Sequence, residues 1–179
     1  MTCSVFVATS IDGYIARDDG GLDWLSLHTG ESEGDYGFSD FMERIDAIVM
    51  GRKTFETVAA FEVWPYEKPV FVMSTTLQNL PDTFSGRASL IHGTPEEVVR
   101  SLNGRGFISL SIDGGMTISS FLRSDLIDEM IISTIPVVLG SGLPLFSGGS
   151  QDRWYEPVGA QVQGNALVTI TYHRKKGTG

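Results

Sequence analysis

Two places in this chain join an apolar, strand-like run to glycine and then to a helix-like segment. The first run, 46–50, leads into Gly51, and two cations and a threonine follow it. The second run, 107–112, leads through an aspartate into Gly114 and Gly115. Unpaired amide N–H groups and the positive end of a helix dipole favour an anion at such junctions. Two of them in one chain predict an α/β fold that binds a ligand with several phosphates.

The chain is long enough for one domain with a full core. It has 179 residues, of which 41% are apolar and 20% are charged, and this suits a single globular domain. We therefore predict one domain over residues 1–174 and a flexible tail over 175–179.

The net charge of −9 limits the choice of partners. Thirteen basic residues are spread along an acidic chain, which does not give the positive stripe that nucleic-acid binding requires, so we predict no nucleic-acid partner. An anionic ligand must be held by local charge and oriented amides. The pair Arg52-Lys53 is the only adjacent basic pair outside the tail.

Cysteine and histidine usage argues against disulfides and metals. Cys3 is the single cysteine, which excludes an internal disulfide and a zinc site built from cysteines. His28, His92 and His173 lack ligand spacing, so we predict no metal site. The start of the chain has no basic segment and only a short apolar run, so we expect neither a signal peptide nor a membrane span, and a cytoplasmic location.

Hydrophobic periodicity predicts strands alternating with helices. A capping box from Thr94 to Glu97 starts one helix, which Asn103-Gly104 ends. The polar stretch 10–21 is predicted to be a loop without a core element, and a terminal hairpin turns at Gly164-Asn165. The predicted strands are 4–9, 47–50, 69–73, 88–91, 107–112, 127–135, 159–163 and 167–173. The other predicted helices include one with Phe38, Phe41, Met42 and Ile45 at helical spacing, one that follows Gly51 to about Ala60, and one that carries Ile118, Phe121 and Leu122. This order predicts a mostly parallel central sheet flanked by helices, with an antiparallel edge hairpin at the carboxy end.

Four segments, in their order and spacing, resemble the dihydrofolate reductase superfamily. They are ATSIDGYIA at 8–16, VMGRKTF at 49–55, DGG at 113–115 and PVVLGSGLPLF at 136–146. The resemblance covers nearly the whole chain. It is closest to the branch shared with the carboxy-terminal reductase domain of the bacterial bifunctional riboflavin-biosynthesis enzyme. It implies a dihydrofolate reductase-like fold and NADPH as cofactor.

The resemblance also implies a set of cofactor-binding residues. The nicotinamide would lie between Ala8 and Ile15, segment 51–54 would hold the pyrophosphate and the adenosine 2′-phosphate, and the glycine turn would lie under the pyrophosphate. The set is Ala8, Ile15, Gly51, Arg52, Lys53, Thr54, Ser74, Thr75, Ile112, Asp113, Gly114, Gly115, Met116 and Thr117. Taken without the resemblance, Gly51 fits an ordinary turn equally, and Arg52-Lys53 fits a solvated helix start.

The resemblance also implies which residues bind the substrate. The loop 10–24 resembles the mobile flap over the active site, and the implied substrate-binding residues are Trp24, Phe38, Gly140 and Gly142. A role as simple loop anchors remains an alternative for Ile15 and Trp24. A role in a structural turn remains an alternative for Gly140 and Gly142.

Two positions depart from the family pattern. Asp113 stands where a third glycine is usual, and its carboxylate would repel a pyrophosphate if it faced inward. Met116 stands where an arginine often helps to hold the 2′-phosphate. Both departures weaken the case for NADPH over NADH.

Hydride addition to an imine or carbonyl also needs a proton donor. Asp35, before the strand that ends at Gly51, is the first candidate, with Asp40 and Glu43 as rivals. Asp12, at the end of the first strand, is the alternative catalytic residue. A turn aspartate that satisfies nearby amides explains Asp12 equally well.

These residues together predict a reductase. It would transfer a hydride from NADPH to a small heterocyclic substrate, pterin-like or ribosylamino-pyrimidine-like, as dihydrofolate reductase or 5-amino-6-(5-phosphoribosylamino)uracil reductase does. The chain lacks a deaminase portion with zinc-ligand cysteines, so it is not expected to be the full riboflavin enzyme. A ligand-binding protein of the same fold without turnover, and a scaffold without ligand, remain alternatives. Because Trp154 and Tyr155 offer apolar surface beside the edge hairpin, we expect a homodimer.

Overall fold

The apolar runs of the chain form strands of one central sheet, and helices connect most of them. The computed structural model describes residues 1–26, 35–148, 151–163 and 167–175. A short 3-10 helix covers Asp82–Phe84. In chain order the other elements are β1 (Thr2–Ser10), β2 (Tyr14–Ala16), α1 (Asp23–Ser26), α2 (Phe38–Glu43), β3 (Ala47–Gly51), α3 (Arg52–Ala59), β4 (Val70–Met73), β5 (Ala88–Ile91), α4 (Pro95–Gly104), β6 (Ser109–Asp113), α5 (Gly115–Arg123), β7 (Glu129–Ile135), β8 (Leu143–Pro144), β9 (Tyr155–Gln163) and β10 (Leu167–Arg174).

The main sheet has eight strands in the order β5-β4-β3-β6-β1-β7-β10-β9. The strands from β5 to β7 in this order run parallel, and β10 and β9 add antiparallel pairing at one side. The predicted fold class is therefore confirmed. The carboxyl ends of the parallel strands share one edge of the sheet, here called the carboxyl edge, where open α/β sheets bind their ligands.

Side chains of β3 alternate between two cores. Ala47 and Val49 belong to the core under α4 and α5, whereas Ile48 and Met50 belong to the core that includes Phe55 of α3. Each of the four strand residues is at most 1% exposed, and burying one such aliphatic side chain contributes about 1.5–3 kcal/mol. Burial on both faces explains why this strand is apolar at every position rather than at alternate ones.

The capping box predicted for α4 is present. The Glu97 amide donates to Oγ1 of Thr94 at 3.3 Å, and the Thr94 amide donates to Oε2 of Glu97 at 2.8 Å. Two orphan donors at this helix start are thereby satisfied from within the chain.

The stretch 10–21, predicted to lack a core element, contains β2. Tyr14 pairs with Pro144 and Ala16 pairs with Leu143 of β8 in a separate two-stranded sheet, and Ala16 is buried. Hydrophobic periodicity does not predict β2, because β2 and β8 are very short and their pairing joins positions about 130 residues apart.

An ion pair fixes the direction of α2 across the sheet. Nη2 of Arg44, directly after α2, lies 2.8 Å from Oε2 of Glu129 at the start of β7. The start of a parallel strand lies at the edge opposite the carboxyl edge, so the first turn of α2 points toward the carboxyl edge. Phe38 and Phe41 pack against Phe6 of β1, with ring centroids 5.7 and 5.1 Å apart.

The carboxy-terminal hairpin, formed by β9 and β10, carries exposed valines. Val158 and Val162 of β9 and Val168 of β10 are 52%, 77% and 45% exposed, and Val168 is paired with Val162. The predicted turn at Gly164-Asn165 and most of the predicted tail 175–179 lie outside the described residues. The single-domain boundary at 174 stays a prediction.

We propose the exposed valines of the hairpin as the surface of the expected homodimer. We expect Val162→Lys to lower the mass measured by light scattering from twice 19.5 kDa to 19.5 kDa, because a charge would disrupt the uncharged patch on which two copies of an acidic chain can meet. Val63→Lys is the control, since Val63 is similarly exposed, at 74%, but lies in the loop between α3 and β4. A wild-type mass of 19.5 kDa at micromolar concentration would contradict the prediction.

Candidate functional site

The two strand–glycine–helix junctions lie side by side at the carboxyl edge. In the β3–β6 pair, Met50 stands opposite Asp113. A Cβ atom placed on Gly51 would lie 2.7 Å from Oγ1 of Thr117, and one placed on Gly114 would overlap Oγ1 of Thr54. Each glycine therefore makes room for the threonine of the other helix. Gly114 also has a φ of +87°, which other residues adopt only with strain.

The starts of α3 and α5 are left open by their own sequence. Their N-caps, Gly51 and Gly114, provide no side-chain hydrogen bond. The start of α4, in contrast, is closed by its capping box. First-turn amides of α3 and α5 therefore keep donors that an anion can accept from.

A groove of about 570 Å³ opens over both helix starts. Its volume lies in the range of small-molecule sites. One wall comes from α3 and α5, another from the ends of β4 and β5, and a third from Leu143 and Pro144 of β8. The groove brings together nine of the predicted cofactor residues: Gly51, Arg52, Lys53, Thr54, Ser74, Thr75, Gly115, Met116 and Thr117.

The groove holds two cations at the start of α3. Nε of Arg52 lies 3.1 Å from Oε1 of Glu56, and its Nη1 donates to Oγ1 of Thr76 at 3.4 Å. Arg52 therefore lies on the side of the groove formed by the end of β4, and its side chain is half-exposed. Lys53 is exposed and has no ion pair among the described residues. Both charges are accessible to a ligand.

The other five predicted cofactor residues do not line the groove. Ile112 is 1% exposed, so only its backbone could meet a ligand. Ile15 packs on the glycine turn, with Cδ1 2.9 Å from a Cβ placed on Gly115. Ala8 is partly buried beside the cluster of Trp24. Gly114 contacts Thr54, and Asp113 turns away toward Tyr66.

Asp12 ties the flap-like loop to the segment before β8. Its carboxylate accepts the amides of Leu139 at 3.1 Å and Gly140 at 2.8 Å. The hydroxyl of Ser10 and these amides lower the pKa of Asp12. The hydroxyl of Ser141 donates to Asp18 at 2.7 Å, which ties the same two segments again. This arrangement favours the turn-aspartate interpretation of Asp12, and it gives Gly140 a structural role.

Gly142 lies next to these hydrogen bonds, where the segment before β8 packs on the flap-like loop. A Cβ atom on Gly142 would overlap the carbonyl oxygen of Ala16, and its φ is +151°. Backbone packing therefore requires glycine here, and substrate contact is not needed to explain it.

Asp35 caps the first turn of α2. Its Oδ1 accepts the Gly37 amide at 3.0 Å, and its Oδ2 accepts the Ser39 amide at 2.7 Å. The hydroxyl and amide of Ser39, with the Gly37 amide, lower the pKa of Asp35. An exposed carboxyl with a lowered pKa is ionised at neutral pH and has no proton to donate. Its rivals Asp40 and Glu43 are exposed on α2.

Trp24 is part of the core. It is 0% exposed and packs with Ile135 and Leu167. The indole N–H has no hydrogen-bond partner in the described part of the chain. Its predicted role in substrate binding would need this side chain to become accessible, and the loop-anchor interpretation fits its burial. Phe38 is partly buried against Phe6.

The carboxyl group with the environment of a proton donor is Asp113. Burial raises its pKa and outweighs two hydrogen bonds to the carboxylate, from the Gly114 amide at 2.7 Å and the Tyr66 hydroxyl at 3.4 Å. Burial and the nearby Asp113 charge also raise the pKa of Tyr66. The resemblance placed Asp113 in the cofactor set. The sequence signal that points to this environment is a carboxylate at the end of a predicted central strand, directly before two glycines.

Neither a metal centre nor a membrane span is found in the part of the chain that the structure describes. No group of three or more His, Cys, Asp or Glu side chains there is placed to hold a metal ion. No described helix has the length and apolar character that crossing a bilayer requires.

Comparison with known proteins places this arrangement in a family. The family model of the RibD C-terminal domain matches residues 2–169. A crystal structure from Shewanella sp. PV-4, of a protein named for riboflavin biosynthesis, is 44% identical with a TM-score of 0.95, and the match covers 98% of this chain and 100% of that one. The uncharacterized protein YwjB of Bacillus subtilis (strain 168) is 37% identical over 146 residues, which are 79% of this chain and 80% of YwjB.

A more distant structure shares the fold. Dihydrofolate reductase from Enterococcus faecalis, solved with NADP(H), has a TM-score of 0.69 at 17% identity, over 98% of this chain and 97% of that one. The family match spans the central sheet from β1 to the start of β10. It includes the four segments and both glycine junctions. The chain belongs to the RibD C-terminal domain family.

Proposed function

We propose that this protein is an NADPH-dependent reductase of a small heterocyclic substrate. The observation that carries the proposal is the groove over two open helix starts, with Arg52 and Lys53 beside it. A dinucleotide has a pyrophosphate, and NADPH has a further phosphate on its adenosine. The groove offers oriented amides for the first and cations for the second. Membership of a reductase-type family supports the proposal.

The residues present fit such a cofactor. Amides at the starts of α3 and α5 would hold the pyrophosphate, because these donors lack partners of their own. Arg52 and Lys53 would hold the adenosine phosphate near Ser74 and Thr75, which line the same groove. NADPH supplies a hydride when bound. The absence of an arginine at 116, where the exposed Met116 lies, leaves Arg52 as the main determinant of cofactor choice.

Asp113 is proposed as the proton donor. Burial raises its pKa, which extends the pH range in which the carboxyl group carries the proton that it would donate. In the reduction of a C=N bond, the substrate carbon accepts the hydride and the nitrogen accepts the Asp113 proton. The product is an amine, and the carboxylate regains a proton from solvent. Asp35 and Asp12 are less suited, because amide donors hold both in the ionised form.

A nucleotide-binding protein without turnover is the second candidate. The observation in its favour is that both carboxylates expected to serve catalysis are engaged in structural hydrogen bonds. Oxidation of NADPH in the presence of pterin or aminopyrimidine substrates separates the two candidates. Binding without oxidation would support the binder.

Arg52→Ala is expected to weaken NADPH binding about 10- to 100-fold, since a charge-assisted hydrogen bond contributes about 1.5–3 kcal/mol. NADH binding should change little, because NADH lacks the adenosine phosphate. Calorimetric titration of both cofactors measures this. Arg87→Ala, an exposed arginine before β5, is the control. Equal NADPH affinity in wild type and Arg52→Ala would remove Arg52 from the site.

Asp113→Asn is expected to lower kcat about 10²–10⁴-fold, which is the usual contribution of a general acid. NADPH affinity should remain similar. In wild type the raised pKa keeps Asp113 protonated at low pH, so kcat should fall as pH rises through that pKa, and the variant should lose this limb. Asp35→Asn should keep the limb. Loss of the limb in Asp35→Asn, with its retention in Asp113→Asn, would restore Asp35 as the donor.

A further inference from the structure

A second cavity, of about 330 Å³, lies against a different face of α5 from the groove. Leu122 and Arg123 of α5 line this cavity, whereas Met116 and Thr117 line the groove. Among the described residues, only Ser147 lines both. The cavity is therefore separate from the proposed cofactor site, and its volume lies at the lower end of the range for small-molecule sites.

One part of the cavity lining is apolar. It includes Leu122, Met130 and the ring of Tyr155, which belong to the main core or pack against it. The Tyr155 hydroxyl donates to the carbonyl oxygen of Ile127 at 3.0 Å, so the polar end of this side chain is already occupied. Phe146 also lines the cavity, although it is 53% exposed. A flat apolar group bound here would shield these side chains from water.

The charged part of the lining is positive. It consists of Arg123 and Arg153, and no Asp or Glu of the described ranges lines the cavity. Arg153 is held in place by the backbone, because its Nη1 donates to the carbonyl oxygen of Gln151 at 3.1 Å and its Nη2 to that of Arg123 at 2.8 Å. Its Nε lies 3.7 Å from Oδ1 of Asp125. Arg153 therefore contributes positive charge, but most of its donors are engaged.

Arg123 is the cation that a ligand in the cavity can use. Its side chain reaches toward the segment after β8, with Nη1 3.9 Å from a Cβ placed on Gly148. Arg123 is exposed, and its guanidinium has no hydrogen-bond or ion-pair partner within 1–26, 35–148, 151–163 and 167–175. The nearby carboxylate of Asp125 pairs with Arg153 and Arg174 instead. An arginine left unpaired beside an apolar cavity can pair with the anionic group of a ligand.

We propose that this cavity binds a small aromatic carboxylate. Its ring would lie against Leu122, Met130 and Tyr155, and its carboxylate would accept hydrogen bonds from Arg123. A charge-assisted hydrogen bond is about twice as strong as a neutral one, so an acid binds here more tightly than its uncharged amide. The hydroxyls of Ser119 and Ser147, 3.2 Å apart, line the same cavity and offer further donors. This site does not depend on the proposed reductase function.

The test compares indole-3-acetate with its neutral counterpart, indole-3-acetamide. Calorimetry gives the two dissociation constants, and amide chemical shifts in NMR spectra of the labelled protein locate the binding. We expect the acid to bind about fivefold more tightly than the amide. The signals of Leu122, Met130 and Tyr155 should shift, and those of Arg52 and Thr54 in the groove should not. Equal affinity for the two compounds, binding of neither, or shifts confined to the groove would overturn the proposal.

Two charge-removing variants identify the cation responsible. Arg123→Gln should bring the affinity for the acid down to that for the amide and leave the amide affinity nearly unchanged. Arg87→Gln removes the same charge from an exposed position directly before β5, and it should keep the fivefold preference. An equal loss of preference in both variants would mean that net charge, rather than Arg123, attracts the acid, and it would count against the site.

A third variant tests the apolar part of the site. Phe146→Ser removes an exposed ring from the lining and should weaken both compounds by the same factor, about two- to fivefold, because the ring shields the acid and the amide alike. Unchanged affinity for both compounds would show that they do not lie in this cavity.

Discussion

The reciprocal packing of Gly51 on Thr117 and Gly114 on Thr54 holds the candidate site together. It brings two helix starts to adjacent strand ends at a separation that larger residues would prevent. The same contacts leave both helix starts without a side-chain cap. Packing and, in the proposed function, ligand binding therefore depend on the same two glycines, and a change made for one property would alter the other.

The distribution of charge around the candidate site follows from this geometry. A chain with a net charge of −9 can attract an anion only where donors and cations are concentrated. The open helix starts and the α3 cations provide that concentration at one stretch of the carboxyl edge. Burial beside the glycine turn raises the pKa of Asp113. The helix starts that favour an anion and the carboxyl group with the raised pKa thus lie at the ends of neighbouring strands.

Sequence patterns predict those structural features that depend on interactions between residues close together in the chain. The apolar run of β3, the capping box of α4 and the glycine junctions depend on neighbouring residues, and the structure contains them. The substrate side depends on contacts between distant segments, such as Asp12 with Gly140 and Trp24 with Leu167. Spacing alone does not reveal which carboxylate is engaged by amides and which is buried. For that reason the sequence favours Asp35 as proton donor, and only the structure shows that Asp113 is the buried carboxyl group.

The tie between the flap-like loop and the segment 136–145 has a mechanical consequence. The β2–β8 pair and the Asp12 and Asp18 hydrogen bonds join these two stretches into one body. Leu143 and Pro144 in that body also form a wall of the groove, and Ile15 rests on the glycine turn. Any displacement of the loop as an intact body widens or narrows the groove at the same time. In the proposed function, a movement of the loop and a change in the width of the groove would therefore be one event.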